Sequence, residues 1–146
     1  MILGLLRVLF AFAVACLVAA LVQLLFAYGP ADYAPNREGG LELLLLTATH
    51  FAVFSSPFVL VVAALAEWQS IRNWHYYAVA GIGIAMAGFL AQYSSESNGP
   101  TILNDYAVKA FLTPGFIAGF VYWILAGRHA GESPHEPRIH IATNGN

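Results

Sequence analysis

Four apolar stretches, at residues 3–28, 41–66, 74–93 and 104–127, take up most of this 146-residue chain. Each is about the length a helix needs to cross a bilayer core of ~30 Å, which takes ~20 residues. The solvent for folding is therefore lipid. The pattern predicts an all-α fold: an integral membrane four-helix antiparallel bundle with both termini on one side. Only 10% of the residues are charged and 59% are apolar, against about 25% charged in a soluble domain. Four spans leave no room for a second folded domain. Residues 1–128 read as the transmembrane domain, and the polar, proline-containing residues 129–146 as a flexible cytoplasmic tail.

The same composition excludes several functions. A net charge of −2 and the lack of any Lys/Arg-rich patch argue against nucleic acid. The expected partners are the lipid bilayer and either another membrane protein or further copies of this chain. Cys16 is the only cysteine, so neither an intrachain disulfide nor dithiol chemistry is available. The first stretch has the length of a long signal-peptide core, but apolar residues continue to Tyr28 and no convincing small-x-small cleavage site sits just after it, where Tyr28-Gly29-Pro30 follows. It reads as a retained span.

Orientation follows from the short connections. Arg7, Arg72, Arg128 and Arg138 fall on one side, and only Arg37 and Lys109 on the other. The positive-inside rule then puts both termini in the cytoplasm, here of a bacterial-type inner membrane. Trp68, Trp74 and Trp123 anchor that interface, while Tyr28, Tyr33, Tyr93 and Tyr106 anchor the opposite one. Residues 67–73 are a tight hairpin, which predicts that the second and third helices are antiparallel neighbours.

Lipid gives no hydrophobic drive for helix association, so contact relies on small residues and interhelical hydrogen bonds. Heptad-like spacing predicts one packing stripe per helix. These are Ala13, Cys16, Ala20, Gln23 and Ala27 in the first, and Glu42, Thr49, Ala52, Ser56 and Ala63 in the second. The third offers Ala78, Gly81, Ala85, Gly88 and Gln92, and the fourth Gly115, Gly119, Tyr122 and Ala126. Gly115 and Gly119 form a GxxxG pair, expected to serve packing within the chain. Pro57 and Pro114 each remove a backbone donor inside a span.

Polar residues in hydrocarbon cost free energy, so they are the first place to look for function. Gln23, Glu42, His50, Gln92, Asp105 and Lys109 all fall in the outer half of the predicted bundle, with His50 roughly 10 Å below its boundary at 1.5 Å per residue. Either they form a polar pocket open to the outside, or they tie helices together, with Lys109 reaching back to Asp105. A haem or other cofactor is not expected. His50 and His75 lie at opposite depths, and His129, His135 and His140 match no compact metal-ligand spacing. No hydrolase, zinc-protease or phosphate-loop motif is present, and no mid-depth carboxylate supports proton-coupled transport of the kind seen in small multidrug resistance proteins. The expectation is a small non-enzymatic accessory or assembly protein. The alternative is a small-molecule or lipid binding or translocating protein. A cavity near His50 of ~300 Å³ or more would favour the alternative.

Overall fold

The computed structural model describes residues 2–30, 38–95 and 105–129. It contains α1 (Ile2–Tyr28), α2 (Gly40–Gln69), α3 (Trp74–Ser95) and α4 (Asp105–Leu125), followed by a 3-10 turn at Gly127–His129. All four helices are long and apolar enough to cross a membrane, and no strand occurs among the described residues. The protein is an integral membrane four-helix bundle. Most of the first connection, most of the third and the tail beyond His129 lie outside the described residues.

The second helix runs a turn further than its apolar stretch. Ser70 takes a left-handed conformation with φ of 51°, and the amides of Ser70 and Ile71 donate to the carbonyls of Glu67 and Ala66 at 3.3 and 2.9 Å. That closure satisfies carbonyls which a frayed end would expose. Hydropathy reports where a helix leaves lipid; the hydrogen-bonded cap decides where it stops.

The order of packing departs from expectation. α4 is the organising helix, lying against both α3 and α1, and α1 in turn carries α2. The pair α2 and α3, expected as close neighbours, meets only sparingly. A short hairpin fixes the near ends of two helices and leaves their far ends free. Here the Tyr76 hydroxyl donates to the Val62 carbonyl at 3.1 Å near the hairpin. Deeper in the bundle the Phe54 ring fills the space beside Gly88, 3.3 Å from where a Cβ would stand.

Glycines set the distance between α3 and α4. A Cβ on Gly81 would strike the Gly115 carbonyl oxygen, and one on Gly119 the Tyr77 carbonyl oxygen. A Cβ on Gly115 would lie 2.6 Å from the Gly81 carbonyl oxygen. The helices are thus in backbone-to-backbone contact, the close approach that small residues permit in lipid. The GxxxG pair is used inside the chain, as expected.

On α1 the buried face is Ala11, Ala15, Cys16, Ala19, Ala20 and Leu24. Ala13 and Ala27, assigned to the stripe from sequence, are exposed. The ridge repeats every four residues (Ala11, Ala15, Ala19), which rotates the face away from a heptad register. On α2 only Ala48 and Ala66 are buried, and Glu42 and Thr49 are exposed. The Thr49 hydroxyl donates to the Leu45 carbonyl at 2.8 Å, so it is satisfied without crossing to another helix. Next to Pro57, which has no N–H to offer the carbonyl four residues earlier, the Ser56 hydroxyl donates to that same Val53 carbonyl at 3.1 Å.

Outward faces carry large apolar side chains, among them Leu46, Val53, Leu60 and Val79, all more than two-thirds exposed. A soluble monomer does not display so much apolar surface; a bilayer covers it. At the hairpin end, Tyr77 belongs to a core with Ala11, Ala15, Ala66, Tyr122 and Ala126. Its hydroxyl donates to the carbonyl of Ile71 at 3.1 Å and reaches that of Gly127 at 3.5 Å. The Trp123 indole N–H donates to the Arg72 carbonyl at 2.7 Å. These bonds pin the hairpin to the end of α4. Tyr77→Phe is expected to lower unfolding free energy by ~1 kcal/mol, measurable as earlier loss of helicity on titration with denaturing detergent.

Candidate functional site

Between the four helices lies a cavity of about 500 Å³. Its walls combine small residues, Ala15 and Ala19 of α1, Ala80 and Ala85 of α3 and Ala118 of α4, with the rings of Phe12, Phe51, Phe54 and Phe111. The α3 wall runs from Tyr77 to Ala91, ~21 Å at 1.5 Å per residue. The space is long and almost wholly apolar. Tyr77 and Tyr122 close it at the hairpin end, their ring centroids 5.7 Å apart.

The cavity also has a side. Val62, Ala80 and Ile84 line both the cavity and a shallow groove on the outer surface between α2 and α3, whose other walls include Pro57, Phe58 and Gly83. This groove lies where the two helices pack least. A Cβ on Gly83 would meet nothing within 4 Å, so this glycine leaves open space rather than permitting a close contact.

Polarity is confined to a few positions. The Ser55 hydroxyl donates to the Phe51 carbonyl at 2.6 Å, and that of Tyr77 is held at the hairpin. Cys16 of α1 faces Ser55 of α2 across the cavity wall. At the end away from the hairpin stand Gln23 and His50. Gln23 Oε1 is fully buried and has no hydrogen-bond partner. Leaving such an acceptor unpaired costs ~1–3 kcal/mol. His50 is largely exposed and stands at the edge of the cavity beside Phe51, with ring centroids 6.4 Å apart.

Of the six polar positions singled out in the sequence, the structure brings Gln23 and His50 to one cavity. Glu42 and Lys109 are exposed and do not line it. Glu42 sits in the first turn of α2, where a carboxylate complements the positive end of the helix dipole. Gln92 is on α3 and Asp105 begins α4, but their side chains lie outside the described residues. The structure thus has an apolar slot with a polar end, where the sequence suggested a polar pocket with a charged rim. The slot itself could be sought only in the excess of alanine and glycine on inward faces.

Fold and cavity together define a multi-pass helical membrane protein with an internal, lipid-compatible space. No protein-family model, curated protein or solved structure matches the chain.

Proposed function

We propose that this protein binds a lipid-phase small molecule in its central cavity, taking it up sideways from the bilayer between α2 and α3. The cavity of about 500 Å³ carries this reading, since ligand sites occupy ~300–1,000 Å³. Its lining is almost wholly apolar, so a hydrocarbon guest gains dispersion contacts there. A filled polar seam around His50 would have favoured the accessory role; the cavity beside His50 supports the binding reading. The proposed role is binding or passage.

The exposed Arg7, Arg72 and Arg128 share the hairpin end, which supports placing that end in the cytoplasm of an inner membrane. The polar end of the cavity then belongs to the outer leaflet.

Purification in mild detergent followed by mass spectrometry of retained molecules tests the reading. The expected result is one stoichiometric lipid-like compound. A stoichiometric protein partner with no small molecule would return the accessory role to first place. Because Gly83 faces open space, Gly83→Phe should fill the groove without disturbing the bundle. Uptake and release of the bound compound should each slow ~10-fold or more, a change of at least ~1.4 kcal/mol in barrier height. Occupancy at equilibrium should stay near that of the wild type.

A further inference from the structure

We infer that the guest is an amphiphile whose head carries a hydrogen-bond donor, as a long-chain alcohol does, with that head donating to Gln23 Oε1. This rests on the binding role proposed above and names the class of molecule that the cavity would take.

The apolar lining comes first. The cavity runs ~21 Å along α3, and its alanine, glycine, aromatic and branched aliphatic walls offer a hydrocarbon chain dispersion contacts along that length.

The second observation is the position of the polar groups. Of the hydroxyl-bearing residues that line the cavity, Ser55 and Tyr77 already donate to backbone carbonyls, and Tyr122 stands beside Tyr77 at the hairpin end. At the other end Gln23 Oε1 is buried without a partner. An acceptor held in that state selects for a donor, because a guest without one leaves it unpaired. With His50 beside the same end, the molecule is oriented head towards Gln23 and tail towards Tyr77 and Tyr122. An ionised carboxylate has no proton to give that oxygen, and no Lys or Arg lines the cavity among the described residues.

A matched pair of probes decides the matter: a long-chain alcohol with a nitroxide on its chain, and its methyl ether, which keeps the oxygen and lacks the donor. Electron spin resonance of the full-length protein in lipid vesicles counts the immobilised fraction of each. The wild type should bind the alcohol ~10-fold more tightly than the ether, as one well-made hydrogen bond allows. Gln23→Leu, close in volume and apolar, should abolish that preference while still binding the ether. Equal binding of both probes by the wild type would overturn the donor assignment and leave the cavity reading standing. Immobilisation of neither probe would overturn both. The wild-type comparison decides by itself should Gln23→Leu fail to assemble.

Discussion

Gly119→Leu is expected to force α4 away from α3 and lower the unfolding free energy by ~3 kcal/mol, the upper range for overpacking a close contact. The atom in the way is the Tyr77 carbonyl oxygen, with the Tyr77 carbonyl carbon 3.0 Å and the Ala78 Cα 3.3 Å from the added Cβ. All three belong to a helix backbone and cannot rotate aside as a side-chain tip would. Unfolding in graded mixtures of mild and denaturing detergent, followed by circular dichroism, reads the loss. Gly83→Ala supplies the control on the facing helix, where added volume meets open space and helix propensity favours alanine by up to ~1 kcal/mol. It should be neutral or stabilising. Equal losses at Gly119 and Gly83 would show that the seam is not what holds these helices.

Ala80→Phe is expected to fill the waist of the cavity and remove ligand binding while the bundle stays assembled. Ala80 lines the cavity and the lateral groove together, so a ring there occupies the space and its opening. The signature is a lost response. At a guest concentration a hundred times its dissociation constant, the wild type should gain about 2.7 kcal/mol of stability. The variant should gain essentially none, with an intrinsic stability no lower than that of the empty wild type. A variant that still responded fully would place the guest elsewhere.

The helix count and the use of small residues for helix packing were legible in the sequence for the same reason. Apolar runs of this length, and small residues repeating along one face, have few other uses in lipid. The spacing of Gly81, Gly88, Gly115 and Gly119 therefore suffices to assign them to packing. Pairing was less legible, because the length of the 67–73 connection constrains only the ends of the helices it joins. The site was legible in part. Gln23 and His50 stood out as polar groups in the outer half of the bundle, and both line the cavity. Glu42 stood out equally, yet its place in the first turn of α2 accounts for it locally. The cavity was hidden. Ala19 and Ala80 look the same in sequence as Ala78, and only the path of the neighbouring helix decides whether a methyl group abuts a backbone or an opening.

The central position of α4 bears on how the molecule is made. As the chain leaves the ribosome, α1 and α2 can pair as soon as both are in the bilayer. The third span then arrives beside a helix that offers it little surface, and its Gly81 backbone has nothing to lie against. Its true counterpart, the Gly115–Gly119 face, is synthesised afterwards and must dock on both α3 and α1. Assembly thus waits on the fourth span, and for that interval the future interior is open to the lipid around it. A bundle closing in this order can wall in a molecule already in the membrane, so the first guest would be acquired during biogenesis.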